Sequence, residues 1–551
     1  MADNAQYNAQ YHAQYHAWNP GIDSTIPPRL LPQITLYRRE NALRDYQAVA
    51  DAARVSGLPL PSLALLTIDR MIIHELLVRV TADLSVPDGP NYADLGISLR
   101  GMVDTIYQNH LRPKIHTPDG FAQQYDALIA EIKQTLTEII ASNRHQTQAK
   151  KRGWFGRNKK PATPDPDHDH TRLHHWRAQK TAPQTDALLS ACYAALAETG
   201  GAIMAQHGRL IADTPLLTDL ALPQVIASHG TKWVRRLIAD DFQAAIKHEG
   251  YRLLPRQSKP IVMNTKGASA AGKSTLRPKQ RQLAERLHCQ WHDFALISPD
   301  YWRKYLLDYD SLGDDYKYAA MLTGHELTLI DRKLDDYMAE KAEAGNMSHL
   351  LIDRFRFDSF NPDAEGAYQS TLLTRFGEKI FLFFVITSPA ATVERAWQRG
   401  LTTQRYKAVD DLLYHNIEAF AGMADLFFSW VKVADKEVHF EFIDNDQPAD
   451  HPPRTIAFGC NKTMVVLDRE GLTNIDRFRR VNVHATKPAE VLLDAKQDQQ
   501  NDASKSDFIK RCATTLDCVH FADEAGAKST SKWEKYFAEM RPLTVGDWGK
   551  H

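Results

Sequence analysis

The sequence predicts an α/β protein in which a parallel sheet flanked by helices follows a large α-helical N-terminal region. Three observations carry that expectation. After Pro255, short apolar runs alternate with helical stretches, the pattern of strands joined by crossover helices. From about Leu36 to Ser142, apolar residues recur at three- and four-residue spacing, and helical texture resumes over 173–250. Between the first short apolar run and the helix after it lies GASAAGKST, Gly267 to Thr275, a glycine-rich strand-to-helix turn.

Composition narrows the class. The 551 residues correspond to about three to five domains at roughly 100–200 residues each. Hydrophobic residues at 43% and charged residues at 25% exclude wholesale disorder and a collagen-like chain. Lys+Arg 67 against Asp+Glu 68 gives a net charge of -1, so no global basic field points to nucleic acid or an anionic membrane. Cys192, Cys289, Cys460, Cys512 and Cys518 are too few and scattered for a disulfide scaffold and read as packed or exposed thiols. No run approaches the ~20 apolar residues of a membrane span, so none is expected. The N-terminus lacks a charged segment followed by an apolar one, so the expectation is a cytoplasmic protein or one exported without a classical signal.

Taken in order, residues 1–25 repeat Ala-Gln-Tyr, with Tyr7, Tyr11 and Tyr15 four apart, and read as a disordered low-complexity leader. A helical domain is expected over 26–142, with ALLTIDRMIIHELLVRVTADL and FAQQYDALIAEIKQTLTEII as its clearest helices. Residues 143–172 read as an exposed linker, rich first in basic residues and then in Pro, Asp and His. Two functional readings compete there. Lys150, Lys151, Arg152, Arg157, Lys159 and Lys160 around Trp154 and Phe155 could touch phosphates or acidic lipid heads. His168, His170, His174 and His175 with Asp165, Asp167 and Asp169 could bind metal, but their spacing fits no standard zinc site.

A helical region follows over 173–256, in which TDALLSACYAALAETG is expected to stop at Gly200-Gly201. Over 257–468 the strands are PIVMN, DFALIS, HLLID, KIFLFFVITS and VHFEFID, continuous apolar runs as expected when both sheet faces are covered. Residues 469–551 read as a mixed C-terminal extension.

The chemistry concentrates at the turn. GASAAGKST satisfies G-x-x-x-x-G-K-[ST], and its strand and helix flanks are those the motif requires. Backbone N–H groups of Gly267, Ala268, Ser269, Ala270, Ala271, Gly272, Lys273, Ser274 and Thr275 would wrap the phosphates of a nucleotide at a helix N-terminus. Lys273 would reach the β- and γ-phosphates and Ser274 would ligate Mg²⁺. The bland reading is a glycine-rich turn without a ligand.

Asp300 follows the second strand, on the rim where open α/β sheets bind ligands, and could accept the proton of an attacking hydroxyl. Its bland reading is an N-cap for YWRKYLL. Asp353 closes the third strand, where a carboxylate orients Mg²⁺. After the fourth strand, Arg395 and Arg399 share one helix face, with Arg405 beyond them. They form either a lid that neutralises a transferred phosphoryl group or a surface helix with ordinary ion pairs.

On these residues the module from about Lys259 to Phe458 resembles the zeta-toxin family of P-loop kinases, akin to polynucleotide and nucleoside kinases. The matching elements are GASAAGKST, the Asp of SPDYWRK, the acidic residue of LLIDRFRF, where the toxins carry Glu, and the lid ERAWQRGLTTQR. HFEFIDNDQPADHPPRTIAF, with Asp444-Asn445-Asp446, resembles a late strand and turn of related bacterial proteins. The resemblance implies an α/β P-loop NTPase-type kinase core that phosphorylates a hydroxyl of a small nucleotide-type metabolite with Mg²⁺ and ATP. UDP-activated amino sugars are substrates in the wider group, as is NAD for a plant-pathogen effector.

The resemblance further implies Asp300 as base, with Lys273, Arg395 and Arg405 clamping phosphates and Arg399 beside the nucleotide. Ser274 and Asp353 would hold the metal, and Arg303 and Glu326 would contact substrate. The implied setting is a toxin or effector with an antitoxin or host protein as partner. The alternatives are a polynucleotide 5′-kinase, which would want a basic groove with stacking aromatics, and a nucleotide-binding pseudokinase scaffold without turnover. Guanine switching is disfavoured because Asn461-Lys462-Thr463-Met464 lacks the Asp of the base-reading motif.

Overall fold

A computed structural model describes residues 15–91, 93–149, 166–183, 185–354, 377–447, 451–493, 507–522 and 531–548. The basic segment around Trp154 and Phe155, and Tyr7 and Tyr11 of the leader, lie outside the described residues.

Among the described residues eight strands form one mixed, mostly parallel sheet flanked by helices. The strands are β1 (Ile261–Lys266), β2 (Phe294–Ile297), β3 (His349–Asp353), β4 (Lys379–Ile386), β5 (Glu437–Asp444), β6 (Arg454–Cys460), β7 (Thr463–Val466) and β8 (Cys518–Phe521), in the order β2-β3-β1-β4-β5-β6-β7-β8. The first five run parallel, β6 reverses against β5, β7 reverses against β6, and β8 runs parallel to β7. Every residue of β1 is buried, as is all of β4 after Lys379. That burial on both faces is why these strands read as unbroken apolar runs.

The large helical N-terminal region comprises α1 (Tyr46–Ser56), α2 (Ile68–Asp83), α3 (Asp94–Ile106), α4 (Phe121–Ala149), α5 (Pro166–Gln179), α6 (Ala187–His207), α7 (Thr214–Val225), α8 (Thr231–Leu237) and α9 (Ala239–Glu249). Asp45, Thr67, Asp186 and Asp213 each accept a backbone N–H of the first turn and fix where α1, α2, α6 and α7 begin. The helices around the sheet are α10 (Arg277–Arg286), α11 (Gly324–Glu343), α12 (Pro389–Thr403), α13 (Val409–Trp430), α14 (Arg469–Arg477), α15 (Asp507–Thr515) and α16 (Ser531–Met540).

Several expectations change. The N-terminal helices are not a separate body, because one apolar core runs from Leu30 through the sheet to Val545. At its centre α2 buries 14 of its 16 residues, so it is a core helix rather than a surface one. Its buried charges find partners on other elements: Arg70 with Glu326, Glu75 with Arg235, and Asp83 with Lys341.

The C-terminal residues complete the sheet through β8 and cover it, with Trp548 stacked 4.3 Å from Phe458. Residues 15–25, expected to be disordered, pack onto α12 and α13. There Ala17 is buried against the cluster of Val393, Trp397 and Leu413, and Trp18 Nε1 donates to Glu394 Oε1 at 2.8 Å.

The expected linker narrows, since α4 reaches residue 149 and α5 starts at 166; within α5, Asp169 accepts the backbone N–H of Leu210. Among the described residues, the α5 histidines form no three-donor cluster. Gly200-Gly201 does not end its helix, because Gly200 lets α6 approach Trp176, whose Cζ3 lies 2.9 Å from where a Cβ would stand. By length and composition α6 could span a bilayer; in this fold it packs on α5, α7 and α4.

Candidate functional site

β1 lies between β3 and β4, so the chain leaves the middle of the sheet in both directions, and the loops at the carboxyl ends part there. A cleft of about 1240 Å³ opens at that point. Seven lysines and arginines line it against four aspartates, a concentration of positive charge in a chain of net charge -1.

The glycine-rich loop forms its floor. Ala270 and Gly272 take positive φ, 62° and 89°, which turns the loop tightly before the helical turn Lys273–Leu276 and α10. Pro278 sits in the first turn of α10, where its missing N–H leaves no bond unmade. Three donors converge on the Ala271 carbonyl: Asn445 Nδ2 at 2.7 Å, Thr387 Oγ1 at 2.9 Å and Arg395 Nη1 at 3.4 Å. Lys273 Nζ donates to the carbonyls of Gly267 and Ala268, each at 3.1 Å. Burial pulls the Lys273 ammonium below the ordinary lysine range, against the opposing pull of Asp353 and Asp300.

Asp300 lies inside the turn Pro299–Trp302, and its side chain makes ion pairs rather than an N-cap. Arg405 Nη2 donates to Asp300 Oδ2 at 2.7 Å and Arg303 Nε to Oδ1 at 3.1 Å. Partial desolvation in the cleft would raise this half-exposed carboxyl, but the guanidiniums of Arg405, Arg303 and Arg399 outweigh it and hold it well below the usual carboxylate range. Arg303 is itself anchored by the Ala320 carbonyl and Thr323 Oγ1 at 2.6 and 2.8 Å. Asp353 ends β3 opposite Thr265 of β1 and lines the cleft with Ser274. Arg395 also donates to the Asn445 carbonyl at 2.6 Å, tying α12 to the end of β5.

The cleft therefore gathers Ser269, Ala270, Gly272, Lys273, Ser274, Thr275, Asp300, Arg303, Asp353, Arg395, Arg399 and Arg405. Gly267, Ala268 and Ala271 belong to the loop but lie beneath its surface. Glu326 is not part of the cleft. It is fully buried on the far side of α11 and accepts from Arg70 Nη2 at 2.8 Å and His74 Nε2 at 2.7 Å, which removes it from any substrate.

Other cleft residues come from outside the motifs. Lys407 Nζ lies 2.6 Å from His415 Nδ1 and 3.3 Å from Asp411 Oδ2. Burial pulls Lys407 to about 8 and His415 to about 3. The signal was present in the sequence, because 407, 411 and 415 recur at helical spacing just beyond the arginines. The N-terminal region also reaches the cleft wall, where Tyr37 Oη lies 3.2 Å from His325 Nδ1. No protein-family model matches the chain, and no curated protein matches it in sequence.

Proposed function

We propose that the chain is an ATP-dependent phosphotransferase of zeta-toxin type, with a P-loop kinase core, that phosphorylates a hydroxyl of a small nucleotide-type metabolite as a toxin or effector. One observation carries this reading: the loop lysine, Asp353 at the end of β3, Asp300 in the turn after β2, and Arg395, Arg399 and Arg405 share a single cleft at the carboxyl ends of the parallel strands. Hard oxygens from the Ser274 hydroxyl and the Asp353 carboxylate suit Mg²⁺. The loop suits a polyphosphate, because Ser269, Ala270, Gly272, Ser274 and Thr275 line the cleft beside the Lys273 ammonium.

Bound Mg²⁺-ATP supplies the transferable phosphoryl group. The protein's part is placement and charge. Lys273 and Arg395 would hold phosphate oxygens at the loop, and Arg399 and Arg405 would neutralise the negative charge that spreads during transfer. Asp300, kept ionised by its arginines, accepts a hydrogen bond from the acceptor hydroxyl and aims it. A strong base is not required, because phosphoryl transfer has a loose transition state with little bond formation to the nucleophile.

The test incubates purified protein with Mg²⁺, ATP and separate pools of NAD, UDP-sugars, nucleosides and 5′-hydroxyl oligonucleotides, read by mass spectrometry. Wild type is expected to add one phosphoryl group to one pool, and Lys273→Ala to abolish the product. Asp300→Asn should lower turnover by about 10²-fold, the scale of a misaimed nucleophile, while ATP still binds. ATP binding with no product in any pool would instead support a scaffold.

A further inference from the structure

At the other end of the sheet from the cleft, the amino end of β5 gathers a second set of reactive side chains. Glu437 and His439 are two apart on β5 and so share a face, and Cys460 of β6 is the cross-strand partner of His439. One donor atom from each lies within 4.8 Å of the other two. His439 is 5% exposed and stacks on Phe381 at 4.8 Å, which fixes its ring. Its Nε2 lies 2.6 Å from Glu437 Oε1, while its Nδ1 is buried with no hydrogen-bond partner among the described residues. Buried ring nitrogens normally find a partner, so an orphan on a ring that shares its cluster with a carboxylate and a thiol calls for one.

We propose that Glu437, His439 and Cys460 form a binding site for a divalent transition-metal ion, Zn²⁺ by the chemistry of the donors. A mixed sulfur, nitrogen and oxygen set is what zinc accepts, with water in the fourth position. The Cys460 thiol now donates to Asn461 Oδ1 at 3.1 Å, so the ion displaces that proton, and uptake releases one proton to solvent. Lys379 Nζ, now 2.9 Å from Glu437 Oε1 and partly exposed, gives way to the dication. Bound there, the ion clamps β5 to β6, the antiparallel pair whose connection carries Asn445, Gln447 and His451 to the cleft.

The test titrates chelator-treated full-length protein with Co²⁺. One equivalent is expected to bind with a thiolate-to-cobalt charge-transfer band, which Cys460→Ser abolishes and His110→Ala preserves. The latter variant controls for the sulfur-free cluster of His110, His248 and Glu249. In a second measurement on wild type alone, Zn²⁺ but not Ca²⁺ should protect Cys460 from alkylation in peptide maps. A folded wild type with no thiolate band, a band that survives Cys460→Ser, or Cys460 alkylated equally with and without Zn²⁺ overturns the proposal.

Discussion

At Gly272 the backbone has φ 89°, and an added Cβ would stand 2.2 Å from Asn445 Nδ2. Gly272→Ala therefore meets two penalties, about 1–2 kcal/mol for a left-handed L-residue and the displacement of Asn445 from the Ala271 carbonyl. A lower Tm and weakened binding of an ATP analogue are expected; an unchanged melt would show that the loop does not need this conformation. Lys407 gives a pH signature at the same scale. Held at about 8 by burial, its ammonium loses its charge as pH rises through that value. Affinity of the cleft for a polyanion should fall across that step in a fluorescence titration, and Lys407→Met should remove the step.

Among elements, the contact of α2 with α11 is held by a buried network of Arg70, His74, Glu326 and Lys333. Glu326→Ala leaves Arg70 buried without its carboxylate, and loss of one partner in such a pair costs about 3–5 kcal/mol. Denaturant unfolding should show that loss, and a variant as stable as wild type would mean the network is dispensable.

The same network sets an acid limit. Burial holds His74 at about 4, while the unfolded chain protonates it near the ordinary 6.5. Between those values only the unfolded state takes the proton, so the stability His74 contributes is present above about 6.5 and lost as pH falls through about 4. His74→Gln should flatten the stability profile in that window. Some slope should survive, since burial also lowers His325, His349 and His439.

The strands and the cleft floor were legible in the sequence because their signals are local: unbroken apolar runs, a glycine motif, an aspartate at a strand end. α2 was legible as a helix but not as the centre of the fold. Its Arg70, Glu75, Arg79 and Asp83 look like a solvated face, and only partners far along the chain make them a buried one. Glu326 was misread for the same reason, since its neighbours at 325 and 327 do line the cleft while it faces the opposite way. The cover that residues 15–25 form on α12 and α13 was hidden by a low-complexity sequence whose aromatics acquire meaning only against Val393, Trp397 and Leu413.

For the whole molecule, one core implies one cooperative unit. The cross-links from the N-terminal helices to α11 and the turn after β2 are buried or half-buried, among them Lys341 Nζ to Asp83 Oδ1 at 2.8 Å, Tyr337 Oη to Asp83 Oδ2 at 2.6 Å and Trp302 Nε1 to Thr81 Oγ1 at 3.2 Å. A fragment of residues 257–551 would expose the faces of α11 and β2 that pack on α2, and leave Glu326, Lys333 and Lys341 without their partners. Exposed apolar surface and stranded charges on one face favour aggregation over folding. The fragment is expected to be insoluble or to lack a cooperative melt, and co-expression with residues 1–256 to restore a soluble complex that purifies as one species. A fragment 257–551 that alone is soluble, melts cooperatively and binds an ATP analogue would refute the single core and return the helical region to the status of an appended domain.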